Sequence, residues 1–281
     1  MAERSLRVAD FDGTVTDLQR EAEGYLAVFA EELEARIGMP QAELHGLMET
    51  AKSEILANPG IYGWEYEGLI VAPAVADPYL LSQAQVGVVV EKLRDNPRGL
   101  KLPEPAEMGK FLSELHSISY QLAGVAFRDG ALRFVTELHN SGEFAIVTNS
   151  GTEAVLKKLK MLLGNEDHGI KVVGEAKKYR VNQQWEKVGE SIKPAGFPRP
   201  VYLRREEYGK VLTSAGRRVS VVIGDVYELD LALPEALGMT TVLVTSPMTP
   251  LWELKYYKQH SNGFSAASLD EVTHAVESGR I

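Results

Sequence analysis

The chain reads as an α/β protein: a parallel-sheet domain interrupted after its first strand by a mostly α-helical insertion. Three observations predict this. A short apolar run, Leu6 to Ala9, stops abruptly at Asp10-Phe11-Asp12-Gly13, a buried strand running into turn chemistry. From Arg128-Asp129-Gly130 onward, helical and strand periods alternate in the rhythm of an α/β domain. Between the two, residues 16–124 show mostly helical spacing and no repeated strand with a polar end.

With 281 residues, 44% hydrophobic and 25% charged, the chain has ordinary globular composition and suits one large or two modest domains. A formal net charge of -9 argues against a broad nucleic-acid footprint, because polyanion binding needs a basic patch. No cysteine is present, so disulfides, thiol chemistry and thiolate metal sites are excluded. No stretch approaches roughly 18 consecutive apolar residues, and Met1 to Ser5 begins no signal-peptide-length run. The expectation is a cytoplasmic protein with no membrane partner.

Asp17 to Ile37 repeats apolar residues at helical spacing, Leu18, Tyr25, Phe29 and Leu33 among them, with Asp17 as N-cap and Gly38 as C-cap. Gln41 to Ala57 predicts a second helix, stopped by Asn58-Pro59-Gly60. Ser82 to Leu93 predicts a third, capped by Ser82 and ended before Asn96-Pro97, and Ala106 to Leu122 a fourth. Tyr62, Trp64, Tyr66 and Tyr79 either pack the insertion's own core, the usual use of aromatics, or line a cleft.

Ala131 to His139 then predicts a helix, Asn140-Ser141-Gly142 a turn, and Phe144 to Val147 a strand ending at Thr148-Asn149-Ser150. Gly151-Thr152 opens a helix through Leu163 whose free N–H groups would stand beside Thr148, a natural anion site, although a plain surface helix fits the same residues. Ile170 to Val173 reads as a strand, and Lys178 to Val181 can pair with Val201 to Leu203 as a hairpin. Glu206 to Ala215, ended by Gly216, reads as a helix before the strand Val219 to Ile223, which ends in Gly224-Asp225 with Asp230 beyond. A short helix, a final strand through Val244 and a C-terminal helix opened by the capping box Ser268-Leu269-Asp270-Glu271 complete the pattern.

Asp10 and Asp12 share a side on extended backbone, and a turn at Asp12 re-aims the second. Two acids at a strand end, with a magnesium ion beside them, suit a nucleophile and a proton donor. An exposed turn is the bland alternative. Parallel strands would gather Asp10, Asp12, Thr148 and Asp225 at one sheet edge, where ligands of open α/β sheets bind.

The order Asp10-Phe11-Asp12-Gly13-Thr14, then Thr148, then a basic residue, then Gly224-Asp225 with trailing Asp230, resembles the haloacid dehalogenase (HAD) superfamily of phosphohydrolases. The resemblance implies a Rossmann-like core formed by residues 1–15 and 125–281, with residues 16–124 as a helical cap that selects the substrate. It implies that Asp10 attacks phosphorus to form an aspartyl-phosphate, and that Asp12 protonates the leaving alcohol and then activates water. Mg2+ would be held by Asp10, the Asp12 main-chain carbonyl and Asp225. Thr148, backbone amides near Phe11 and Asp12, and a third-motif cation would hold phosphate oxygens, with Asn149 also facing the substrate.

That cation does not align uniquely. Arg204 or Arg205, standing before the 206–215 helix, is the expected choice, with Arg199, Lys193 and Lys178 behind; each also fits a surface cation. Asp230 either orients the metal's water shell or the cation, or is simply an acid at a helix N-terminus. Asp12 favours phosphate esters over the dehalogenase branch, whose halide leaving group needs no proton. The implied function is a magnesium-dependent phosphoric monoester hydrolase acting on a small phosphorylated molecule. A phosphotransferase or mutase using the same residues, and a catalytically idle binding protein, are the rivals. Walker, Gly-x-Ser-x-Gly, Gly-x-Gly-x-x-Gly and His-Glu-x-x-His motifs are missing, and His45, His116 and His139 read as packing or surface residues.

Overall fold

The computed structural model describes residues 6–95, 99–165, 168–214, 218–259 and 262–281. These separate into two units, one formed by Met1–Asp17, Glu65–Ala72 and Phe127–Ile281, the other by Leu18–Trp64 and Pro73–Ala126.

In the first unit, strand β1 (Leu6–Ala9) lies between β4 (Glu143–Val147) and β8 (Val219–Gly224). Strand β5 (Lys171–Val173) continues the sheet beyond β4, and β9 (Thr240–Val244) and β10 (Gly263–Ala266) continue it beyond β8, giving the order β10-β9-β8-β1-β4-β5. All these pairings are parallel, so every strand delivers its carboxyl end to one edge. Side-chain alternation feeds two cores. Ala9, Phe144, Ile146, Val221 and Ile223 pack with helices α5 (Ala131–Asn140), α6 (Thr152–Leu163) and α10 (Leu269–Glu277). Val8, Ala145, Val147, Val222 and Leu243 pack with α7 (Glu206–Ser214), α9 (Leu251–Gln259) and the segments around Val201 and Tyr227. Burial on both faces explains why these strands read as continuous apolar runs.

The second unit is built on α1 (Leu18–Ile37), α2 (Gln41–Ala57), α3 (Pro78–Arg94) and α4 (Met108–Tyr120). Tyr25, Phe29, Leu33 and Ile37 recur every fourth residue on α1 and bury against Leu44, Ala51, Val86, Val89, Val90 and Leu115. Gly38, at φ +73°, ends α1 by donating its N–H to the Glu34 carbonyl at 2.8 Å. Tyr79 packs, its ring 4.7 Å from that of Tyr25, and His116 packs against Tyr25 and Tyr120.

Several expectations are corrected. The third helix begins at Pro78, not Ser82, because Asp77 caps it by accepting the N–H groups of Tyr79 and Leu80 and Pro78 pre-sets the first turn. Ser82 is buried and donates to the Tyr79 carbonyl instead. The fourth helix is a 3₁₀ turn, Pro105–Glu107, followed by α4. The stretch between the first two motifs also holds a hairpin, β2 (Gly63–Tyr66) with β3 (Leu69–Pro73), whose turn carries Glu67 and Gly68 at positive φ. Strand β7 (Val201–Tyr202) pairs with β6 (Ser191–Ile192) rather than with Lys178 to Val181, where Lys178 and Tyr179 lie in a turn closed by the Arg180 N–H donating to the Lys177 carbonyl at 2.9 Å. The expected short helix is α8 (Ala232–Ala236), and helix α9 and strand β10 follow the strand expected to be last. The predicted stops at Asn96-Pro97 and Ala215-Gly216 lie outside the described residues. No described helix is long and apolar enough to cross a membrane.

Candidate active site

Register decides which side chains meet. Ala9 pairs with Ile146 on one side and Ile223 on the other, and the Asp10 N–H extends the ladder to the Ile223 carbonyl at 2.8 Å. The residues just past these strands, Asp10, Thr148 and Asp225, therefore share the carboxyl edge. Two glycines make the approach possible. Gly13 has φ +85°, and a Cβ there would stand 2.3 Å from Asp225 Oδ2. A Cβ on Gly224 would stand 2.4 Å from that of Asp230.

Asp10 is buried, and its Oδ1 accepts from Lys178 Nζ at 2.6 Å. The same ammonium donates to Asp230 Oδ1 at 2.9 Å. The Thr14 hydroxyl donates to Asp225 Oδ1 at 3.0 Å and lies 3.4 Å from Asp10 Oδ2, so one threonine links the two acids. Asp230 is itself pinned: its Oδ2 accepts the Val226 N–H at 3.1 Å, and its carbonyl accepts the Tyr208 hydroxyl at 2.8 Å. Beside this group, Asp12 accepts the Thr148 hydroxyl at 3.2 Å and pairs with Lys158 Nζ at 3.3 Å. Asp12 and Lys158 stay partly open to solvent, with side-chain exposures of 23% and 20%.

Burial pushes the Asp10 carboxyl well up from its ordinary value; Lys178 opposes this, and Asp230, Asp225 and Asp12 add to it. Burial, with Asp230, pushes Asp225 up to about 7 against the pull of Arg128 and Thr14. For Lys178, burial works against the charge, but Asp10 and Asp230 outweigh it and raise its pKa. One ammonium thus bonds two of three crowded carboxyl groups, Asp10 and Asp230, and leaves Asp225 to Thr14 and the charge of Arg128. Carboxylate oxygens of Asp10, Asp225 and Asp230 lie within 4.8 Å of one another. Hard oxygen donors with negative charge in excess fit a hard divalent cation, which would relieve the repulsion that adds to burial in raising Asp10 and Asp225. Of the expected metal set, Asp10 and Asp225 enter this cluster, with Asp230 as the third carboxyl group. The Asp12 carboxylate is engaged by Thr148 and Lys158 instead, which leaves its main-chain carbonyl as the expected donor.

The cation beside the acids is a correction. Neither Arg204 nor Arg205 stands there: Arg204 donates to the Gln183 carbonyl, and Arg205, fully buried, donates to the carbonyls of Tyr202, Lys178 and Val71. Arg199 grips Glu228 at 2.7 Å, and Lys193 is exposed. Lys178 takes the position because the chain after β5 doubles back on the β4 end, with Glu175 N–H donating to Ser150 O at 2.8 Å and Ala176 N–H to Thr148 O at 2.9 Å. That path uses left-handed backbone at Glu175 and Lys177, φ +52° and +49°, which no glycine advertises. Asn149 turns its amide oxygen to the Lys178 N–H at 2.7 Å, and the Phe11 side chain is buried in the core. Lys158 was missed because it reads as one more cation on an amphipathic helix.

Neither a protein-family model nor a curated protein matches the sequence. Solved structures match the fold. YfnB from Bacillus subtilis, described as a HAD-hydrolase and bound to magnesium, is 13% identical over 98% of this chain and 99% of its own, with a TM-score of 0.55. A protein described as a β-phosphoglucomutase from Bacteroides vulgatus is 16% identical over 99% of this chain and 89% of its own, TM-score 0.49. A haloacid dehalogenase-like family hydrolase from Xanthomonas campestris is 15% identical over 99% and 92%, TM-score 0.48. At these identities the likeness is one of fold.

Proposed function

We propose, on the premise that this chain has the haloacid dehalogenase-like fold, that it is a magnesium-dependent phosphohydrolase cleaving a small phosphorylated metabolite through an aspartyl-phosphate. The observation that carries the reading is Asp10, a buried strand-end carboxylate held by the Lys178 ammonium at 2.6 Å with a second acid two residues on. Lys178 favours the charged, attacking form of Asp10 against burial and its acidic neighbours.

An Asp10 oxygen bonds to phosphorus while the bond from phosphorus to the alcohol oxygen breaks, and Asp12 gives that oxygen its proton. Water then attacks the same phosphorus, Asp12 takes the proton back, and the bond to Asp10 breaks, releasing phosphate and restoring both carboxyl groups. Thr148, with N–H groups near Phe11 and Asp12, holds phosphate oxygens. Magnesium, held by Asp10, Asp225 and the Asp12 main-chain carbonyl with Asp230 beside them, would neutralise charge on the transferring phosphoryl group. The magnesium in YfnB supports the choice of ion. Asp12 supports an ester over a carbon–halogen substrate, since halide leaves without a proton. A net charge of -9 supports a small-molecule substrate rather than nucleic acid.

The test is hydrolysis of p-nitrophenyl phosphate with and without Mg2+, native protein against Asp10→Asn. Release that requires Mg2+ and disappears in the variant supports the reading. Folded native protein that releases nothing points to a transferase restricted to its own acceptor, or to a binding protein.

A further inference from the structure

We propose that Asn149 and Arg205 form a clamp on the peptide of Lys178 and so set where its ammonium stands between Asp10 and Asp230. The catalytic consequence rests on the phosphohydrolase reading; the clamp itself does not. Lys178 follows Glu175 and Lys177, both held in the left-handed region at φ +52° and +49° without being glycine. Such residues persist only where their surroundings over-determine them. The surroundings here grip both polar groups of one residue. Asn149 Oδ1, from the end of β4, accepts the Lys178 N–H at 2.7 Å, and Arg205 Nη1, from beyond Tyr202, donates to the Lys178 carbonyl.

Arg205 is itself fixed. Its Nη2 donates to the Val71 carbonyl at 2.8 Å and its Nε to the Tyr202 carbonyl at 3.0 Å, so one planar guanidinium spans carbonyls from three separate segments. It is fully buried, and among the described residues its hydrogen-bond partners include no carboxylate. Burial lowers its pKa, and the charges of Glu228 and Asp230, which act on it without a hydrogen bond, only partly offset that. A charge placed in the interior and used on backbone oxygens is an expensive arrangement for packing alone. It does suit holding one carbonyl in a fixed place, because Arg presents a rigid fork where Lys presents a compact point charge. The two residues expected from the sequence to face phosphate thus act one step back, as positioning residues for the cation that does.

Two readouts on the full chain test this. The first is kcat and KM for p-nitrophenyl phosphate with Mg2+. Asn149→Ala and Arg205→Lys are each expected to lower kcat about 10- to 100-fold with KM within about threefold, the scale of misplacing a reacting group by an ångström. The double variant should lose no more than about threefold beyond the worse single, because both act through one peptide. Asn149→Asp, which keeps the acceptor oxygen, should recover most of kcat.

The second readout needs neither turnover nor metal: acetic anhydride labelling of lysines followed by mass spectrometry. Lys178 should label at least about tenfold faster in both single variants while Lys158 keeps its native rate, as expected when one buried contact set is loosened rather than the whole fold. Native kcat and native Lys178 labelling in the singles would overturn the clamp, as would kcat losses that multiply in the double. A native protein that never hydrolyses phosphate esters, but whose variants expose Lys178, would sink the phosphohydrolase reading and leave the clamp standing. Should Arg205→Lys not fold, the Asn149→Ala and Asn149→Asp pair decides on both readouts.

Discussion

Gly13 shows how little room the first turn leaves. A methyl group there would meet Asp225 Oδ2 at 2.3 Å on a backbone at φ +85°, so Gly13→Ala must either strain the turn or push Asp225 away. We expect that variant to lose at least about 100-fold in Mg2+-dependent turnover, the scale of a displaced catalytic group, and to need more Mg2+ for half-maximal rate. A magnesium titration of the rate checks both. Lys178→Met tests the neighbouring ion pairs. It leaves Asp10 and Asp230 buried without their shared ammonium, an uncompensated charge worth about 3–5 kcal/mol, which urea unfolding at neutral pH reads directly. A variant as stable as the native protein would mean that the two acids share a proton in place of the lysine. Lys158→Ala, by contrast, removes a partly exposed partner of Asp12 and should change stability by about 1 kcal/mol or less in the same experiment.

Elements here are ended and aimed by single side chains. Helix α3 is capped by Asp77, whose Oδ1 takes two N–H groups at 2.7 and 3.1 Å, five residues before Ser82, the cap expected from the periodic pattern. Asp77→Ala should therefore lower unfolding free energy by about 1 kcal/mol in a denaturant titration. No loss would place the functional start of the helix elsewhere. At the other end of the chain, Ser268 accepts the Glu271 N–H as its capping box predicts, while Glu271 reaches one residue further back and accepts the Ala267 N–H at 2.9 Å. The loop after β5 shows the limit of such local logic. It reads as a hairpin strand but becomes a turn, because its polar groups find better partners in Thr148, Asn149 and Ser150 than in Val201 to Leu203.

Over the whole molecule, the concentration of buried acid behind the sheet edge controls how stability depends on pH. Burial raises Glu228 and Asp225 to about 7 each and raises Glu253 well above its ordinary value. A carboxyl group whose folded pKa exceeds its unfolded one adds stability that is complete below the unfolded value and is lost as pH climbs through the folded one. Metal-free protein should accordingly lose stability between about pH 4 and pH 7, and added Mg2+ should raise Tm most at the upper end, where the carboxylates it would hold are charged. Melting curves in chelator and in Mg2+ across that window check the sign. Glu253→Gln, neutral at every pH and still able to accept the Tyr227 N–H, should flatten the slope. A chelated Tm that rises with pH, with the Gln variant running parallel, would contradict the assignment.

The sequence by itself determined the strand-helix alternation, the apolar strands and helix faces, and the acids and hydroxyl at Asp10, Asp12, Thr148 and Asp225. These depend on neighbours within a few residues, and apolar periodicity, a glycine after an acid or a strand's polar end are written in that local order. Only the tertiary structure decided that Lys178 is the cation standing between Asp10 and Asp230, that Asp230 joins the acid cluster, that Arg205 grips backbone and that a hairpin lies in the insertion. Lys178 reaches Asp10 across 168 residues of chain, along a loop whose left-handed turns fall on glutamate and lysine. Five cations offered themselves by type and spacing. The choice among them was made by which loop could satisfy its backbone polar groups at the sheet edge, a competition between distant partners that no local pattern records.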